Sequence, residues 1–296
     1  MAIGFLKKAA PEASLKFWLH QHLNGPSAGR STSHVHASDM TKHDGFCPRF
    51  FALADVTKMK TNPEWLDTSH NVTFTLGRWM QDQIVDWFAD MGKAICHWKC
   101  VSCGTMHEFT KRPEKCKTCG CKTSKPIEVR FESAVTGASC GVDMLLAMGE
   151  PKLRPVEIKT IRPEDFKALV APLAEHRTRT NLYLRIIEES GNPLVATNKA
   201  TVLYVTKGGY GCQDNDLKAM GLKERFSPFK EFSVTRQDSD TNAICARAKV
   251  VKDFREGKVG MPRGICTTAL TPRACSCSLK EVCFSGEHAP VYNWEG

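Results

Sequence analysis

Asp143 and the tripeptide Glu157-Ile158-Lys159 combine the residue types that can hold a divalent cation beside a phosphate. Hard cations such as Mg²⁺ take oxygen ligands, usually one or two carboxylates with substrate phosphate and water completing the shell. Asp143 and Glu157 offer the carboxylates, and the Ile158 carbonyl offers a backbone oxygen. A cation held there acidifies a bound water and screens the phosphate, while Lys159 meets the charge that builds in the transition state. The elements that must position these groups follow from the flanks. Two short apolar runs border the Gly/Pro-rich stretch 149–155, which reads as a β-hairpin with a longish turn. Setting Asp143 opposite Lys159 centres that turn on Pro151. Glu157 and Lys159, two apart on a strand, leave by one face. Taken alone, the pattern also fits a strand carrying a surface ion pair.

Fourteen cysteines in 296 residues is a high content. The opening residues Met1–Lys8 are too short and too basic at their far end for a secretory h-region. There is also no run of about 18 apolar residues for a membrane span. The expectation is a soluble, cytoplasmic chain whose thiols stay reduced, so that clustered cysteines bind metal. Cys100-x-x-Cys103-Gly and Cys116-x-x-Cys119-Gly are two knuckles, each presenting two thiolates, and together they form a closed tetrahedral zinc site. Cys96, Cys121, His97 and His107 fit the spacing less well. The resulting zinc ribbon, residues 96–123, is an insertion between a helix and a strand. Residues 93–125 hold eight Lys/Arg against two Glu. Such a surplus is either a solvated surface or a basic finger on nucleic-acid backbone, with Lys111, Arg112 and Lys115 as the contacts.

The segment Glu132…Gly141-Val142-Asp143…Glu157-Ile158-Lys159 resembles the core of the PD-(D/E)xK nuclease superfamily, in its RecB-like exonuclease branch. Downstream, Arg179…Tyr183 resembles that branch's Q-x-x-x-Y helix motif, with Arg179 in the glutamine position and Tyr183 kept. Upstream, Gly77…Gln81-Asp82 resembles G-x-x-x-H-E, with Gln81 where the metal-binding histidine stands. Cys47-Pro48-Arg49 and the late cysteines resemble the iron–sulfur variety, similar to CRISPR-associated and phage exonucleases. There, one early and three late cysteines hold a four-iron four-sulfur cluster. The best four here are Cys47, Cys266, Cys277 and Cys283, with Cys275 as the substitute, because only one residue separates Cys275 from Cys277. A second zinc site or buried free thiols are the other readings of these cysteines.

The resemblance implies a restriction-endonuclease-like α/β core, a mixed central sheet flanked by helices. It implies catalysis by Asp143, Glu157, Lys159 and Tyr183 with Mg²⁺ or Mn²⁺ on Asp143, Glu157 and Ile158, and Arg179 on DNA. The implied activity is exonucleolytic, on DNA ends or single strands, in recombination, repair or phage replication, with a recombination or replication protein as partner and a phage-infected bacterium as one setting. The alternative is a non-catalytic nucleic-acid-binding protein that keeps the fold.

The remaining sequence supplies the frame. Strands are expected at 127–135, 142–148, 155–161, 200–206 and 230–235, and helices at 77–90, 163–170, 174–189 and 239–256. The division is a peripheral segment 1–37, a nuclease domain 38–286 containing the ribbon, and a tail 287–296. Ser38-Asp39 is expected to start a helix leading to Cys47. His34, His36 and His43 read as solvated loop residues. The net charge of +9 and pI near 8.9 fit a polyanionic partner. The cations Arg247, Lys249, Lys252 and Arg255 crowd one helix.

Overall fold

The computed structural model describes residues 15–23, 25–26, 34–41, 45–58, 65–209, 211–223 and 225–294. In chain order, the elements begin with α1 (Leu15–Leu23), β1 (Gly25–Pro26), β2 (Val35–His36), α2 (Ala37–Met40), α3 (Pro48–Thr57), β3 (Trp65–Leu66) and α4 (Thr68–Asp90). Then follow β4 (Ala94–Cys100), β5 (Met106–Thr110), β6 (Ser124–Ile127), β7 (Val129–Glu132), β8 (Ala138–Val142), β9 (Met144–Leu146) and β10 (Arg154–Ile161). The chain continues through α5 (Pro163–Ala168), α6 (Ala174–Glu189), β11 (Lys199–Thr206), β12 (Cys212–Gln213), α7 (Asn215–Ala219), β13 (Phe226–Ser227) and β14 (Phe229–Thr235). It closes with α8 (Asn242–Arg255), α9 (Pro272–Ser276) and α10 (Lys280–Phe284).

The central sheet runs β14-β11-β10-β9-β4-β5, with β6 also on β4. It is mixed: β10 and β11 are parallel, while the other pairs are antiparallel. Alternation along β10 decides what each face holds. Val156 and Ile158 pack with Ile84 and Val85 of α4. On the other side Leu182, Tyr183, Ile186 and Ile187 of α6 join Leu145, Val142 and Val129. A three-stranded sheet, β2-β8-β7, completes the second core. Helix, mixed sheet and helix are therefore layered as the α/β expectation required.

Five expectations change. The single strand expected at 142–148 is two: β8 belongs to the small sheet and β9 to the central one, so the chain changes sheets at Asp143. Helix α4 starts nine residues before the expected 77, because the Asp67 side chain caps it by accepting the His70 N–H. The short α2 stops at Thr41 and does not reach Cys47, which instead caps the separate α3 with Pro48 in its first turn. Residues 35–37 are not peripheral: Val35 pairs with Ala138 and is 1% exposed. The tail also packs back, with Trp294 Nε1 donating to the Arg263 carbonyl and Arg247 lying over its ring.

Candidate active site and metal centres

Asp143 stands where the chain leaves one sheet for the other, so strands flank it on both sides. On β9–β10, Val156 faces Met144, and the next step sets Asp143 opposite Glu157. This corrects the expected register, which had Lys159 opposite: the pairing is two residues shorter and the turn centre moves from Pro151 to Glu150. The physical reason is the break at 143, which lets the Asp143 carboxylate turn along the strand. Its Oδ2 accepts the Ile158 N–H at 2.6 Å. Its Oδ1 accepts from Gln81 Nε2 of α4. Asp143 is 8% exposed and Glu157 3%.

Glu157 and Lys159 leave by one face, as their spacing requires, and their charged ends pair directly. Tyr183 O–H donates to the same oxygen, Glu157 Oε1, at 3.3 Å. The other oxygen, Glu157 Oε2, is buried with no hydrogen-bond partner among the described residues. Burial pushes the Asp143 carboxyl well above its usual range and the Glu157 charge adds to this, against Lys159 and the Ile158 N–H. Burial works against the Lys159 charge, but Glu157 and Asp143 outweigh it and hold the ammonium protonated. Tyr183 is held as a neutral phenol by burial and by the same two carboxylates. Two carboxylates against one ammonium thus leave a buried site short of positive charge. That shortage, with the orphaned oxygen, is what a divalent cation relieves, so these residues fit one.

The helices bring further groups. Gly77 lets α4 lie close to β10: a Cβ there would sit 3.2 Å from Thr160 Oγ1. That approach is what delivers Gln81 to Asp143. Arg179 on α6 is drawn to Glu175 and Thr41, so its guanidinium is engaged within the protein. Beside Lys159, across β10–β11, lies Tyr204. Its hydroxyl accepts from the Leu173 N–H at 3.0 Å and stands 2.7 Å from His176 Nδ1. Burial lowers His176 to about 4, with Lys159 and Arg179 assisting. Sequence reasoning missed His176 and Tyr204, and it missed Glu128. The resemblance pointed to Glu132, but that side chain pairs with His34 at 3.2 Å. The signal for Glu128 lay in the β7–β8 register: Val129 faces Val142, so Glu128 comes opposite Asp143.

Cys100, Cys103, Cys116 and Cys119 offer sulfurs all within 4.8 Å of one another, a group that can hold a metal ion. Each knuckle closes with the glycine N–H on the first cysteine's carbonyl, Gly104 to Cys100 at 3.0 Å and Gly120 to Cys116 at 2.9 Å. Both glycines have φ above 70°, where a Cβ is costly. The Cys119 and Thr118 N–H groups lower Cys116 to about 5, favouring thiolate. Cys96 lies in the core with its sulfur toward the Asp143 carbonyl, and Cys121 turns to the Thr123 carbonyl. His97 Nδ1 accepts from the Phe109 N–H. His107 is buried and outside the quartet. Lys111 and Lys115 are exposed on the ribbon. Arg112 corrects the expectation of a free phosphate contact: it is paired with Asp86 and Asp90 of α4 and lies 5.0 Å over Trp98. It fastens the ribbon to the helix.

The late cysteines gather around the start of α3. Cys277 carries charge interactions with Cys47, Cys283 and Cys266, whereas Cys275 is exposed with its sulfur toward the Ala269 carbonyl. Burial raises the Cys47 thiol, against the Ile265 and Phe50 N–H groups. Arg49, 3% exposed, ties the region together. It donates to Cys283 Sγ at 3.2 Å and to the carbonyls of Pro262, Cys283 and His288. His34 and His36 contact Glu132 and Ser139, and His43 lies outside the described residues. The cations of α8 are largely paired: Lys249 with Asp253, Lys252 with Glu256, and Arg255 with Asp55. Among the described residues, no helix is long and apolar enough to cross a membrane.

No family model matches this sequence, and no curated protein does. Among solved structures, the chain is similar to an alkaline exonuclease, LHK-Exo, from Laribacter hongkongensis. Identity is 9%, over 77% of this chain and 90% of that one, with a TM-score of 0.43. The same exonuclease in complex with dAMP matches at 11% identity over 82% and 93%, TM-score 0.41. A protein described as SSO0001 matches at 13% identity over 86% and 89%, TM-score 0.37.

Proposed function

We propose that this chain is a divalent-metal-dependent deoxyribonuclease that hydrolyses phosphodiester bonds at DNA ends or in single strands. The observation that carries the reading is Glu157 Oε2, a buried carboxylate oxygen without a partner, beside Asp143 and Lys159. Asp143, Glu157 and the Ile158 carbonyl would hold Mg²⁺ or Mn²⁺, which would polarise the phosphate and acidify a water. Lys159 keeps its proton and meets the charge that develops on the phosphate oxygens. Tyr183 fixes the orientation of Glu157. The apolar walls from α4 and α6 keep the surroundings of both carboxylates dry, which strengthens each interaction.

Zinc on Cys100, Cys103, Cys116 and Cys119 would be structural, because four cysteines close the shell. An iron–sulfur cluster on Cys47, Cys266, Cys277 and Cys283 would join α3 to the C-terminal segment, and a zinc there is the competing assignment. Of the three ribbon cations named as DNA contacts, Lys111 and Lys115 are left to meet DNA phosphates. Anaerobically purified protein with end-labelled single- and double-stranded DNA, in Mg²⁺, Mn²⁺ or EDTA, tests the reading. Cleavage in either metal and none in EDTA is expected. No cleavage in any metal overturns it.

A second reading, a nucleic-acid-binding protein without turnover, draws on Gln81. Its amide donates to Asp143 Oδ1, an oxygen that a cation would also need. Tight DNA binding with no cleavage by wild type or by a Gln81→His variant would favour this second reading.

A further inference from the structure

His176, Arg179 and Tyr183 stand on α6 at the three- and four-residue spacings that share a helix face. Tyr183 meets Glu157. Nearer the start of the helix, His176 meets Tyr204, the β11 residue that pairs with Lys159 of β10. Paired residues of adjacent strands leave by one face, so the Tyr204 side chain, with His176 at its tip, lies on the side of Lys159. Tyr204 is fully buried, and its hydroxyl has a single proton. The oxygen accepts the Leu173 N–H at 3.0 Å and lies 2.7 Å from His176 Nδ1. Its own proton goes to Nδ1, the one other partner it has among the described residues, because a buried O–H without an acceptor is costly. The proton of the imidazole is therefore on Nε2. That N–H has no hydrogen-bond partner among the described residues. The charges acting on the ring, Lys159 and Arg179, are both positive, and with burial they keep it neutral. A neutral N–H set among cations has an oxyanion as its natural acceptor.

We propose that His176 is a further substrate-contact residue, whose Nε2–H donates to a phosphate oxygen of the bound DNA strand beside Lys159. Tyr204 is the positioning residue that holds the imidazole in this tautomer. The assignment rests on the phosphodiester-hydrolysing reading given above. A neutral donor orients the oxygen without repelling the Lys159 ammonium, which an imidazolium would do.

Single-turnover cleavage of end-labelled single-stranded DNA in Mn²⁺ tests this on the full-length protein, with Mn²⁺ affinity, thermal melts and DNA titration in Ca²⁺ beside it. His176→Phe and His176→Ala both lack the N–H, with and without the bulk of a ring. Each should slow cleavage by on the order of 10- to 100-fold, the loss of one hydrogen bond to a charged group. His176→Gln puts an amide N–H near the place of Nε2 and should recover most of that loss. Tyr204→Phe keeps the imidazole but frees its tautomer, and its rate should fall between those of His176→Phe and wild type. Mn²⁺ affinity should match wild type in all four. Wild-type cleavage by His176→Phe and His176→Ala overturns the contact and leaves the nuclease reading standing. An equal loss in His176→Gln, or a parallel loss of Mn²⁺ affinity, makes the ring structural and also overturns the contact. If wild type cleaves in no metal, the nuclease reading fails, and the titration in Ca²⁺ decides the contact. Weaker DNA binding by His176→Phe that His176→Gln restores then supports it, and equal binding overturns it.

Discussion

The Ile158 N–H points at Asp143 Oδ2, 2.6 Å away, across the junction between the two sheets. That bond fixes a carboxylate that has just left one sheet to the backbone of the strand carrying Glu157 and Lys159. The Asp143 carboxylate is thereby positioned by main chain. Side-chain changes nearby should alter charge more than geometry.

Glu157→Gln and Lys159→Met should each lower DNA cleavage by on the order of 100-fold or more, a typical loss when one charge-stabilising group is removed. Lys159→Met should also lower stability, since it leaves Glu157 buried with only the Tyr183 hydroxyl. Single-turnover cleavage and thermal melts check both. Wild-type rates in either variant would remove these residues from catalysis.

Metal analysis after anaerobic purification should find one zinc and about four irons per chain. Cys103→Ser should lose zinc and keep the visible colour, and Cys283→Ser should do the reverse. Cys275→Ser should change neither, because that sulfur faces away from the others. Two zincs and no iron would assign the late cysteines to a second zinc.

Arg49→Met should destabilise the chain by at least about 1.5–3 kcal/mol, the scale of a hydrogen bond to a charged group. The guanidinium holds three carbonyls and the Cys283 sulfur in a buried setting. Iron content should fall with it. A melting temperature equal to wild type would show that the C-terminal segment is held by other contacts.

On the ribbon, Lys111→Ala with Lys115→Ala should weaken DNA binding evenly across sequences and flatten the salt dependence by up to about two units of slope, one for each phosphate contact. Arg112→Ala should instead lower stability by roughly 1 kcal/mol, a charge-assisted contact partly open to water. Titrations at several salt concentrations, paired with melts, separate the two effects.

His176 carries the pH prediction. Its proton affinity falls from an ordinary 6.5 to about 4 in the fold. The unfolded chain therefore binds more protons in that window, and stability falls with falling pH. The contribution is complete above about 6.5 and is lost as pH drops through about 4. His176→Gln should flatten the stability profile across that interval, as measured by denaturant unfolding at stepped pH.

What the sequence determined by itself is local. Two residues of separation on a strand send Glu157 and Lys159 to one face, and C-x-x-C-G fixes a turn that presents two sulfurs, whatever the rest of the chain does. Strands and helices with strong periodicity, such as β10, β11 and α6, were legible for the same reason. Only the tertiary structure decided what separate segments do to one another. The break at Asp143 reset the hairpin register from Lys159 to Glu157, because the strand had to serve two sheets. Arg112 and Arg179, basic in sequence, found carboxylates on neighbouring turns and helices. Glu128 came to face Asp143, and Cys275 was turned away from the other cysteines. No local spacing encodes such pairings, which follow from burying two helices against one mixed sheet.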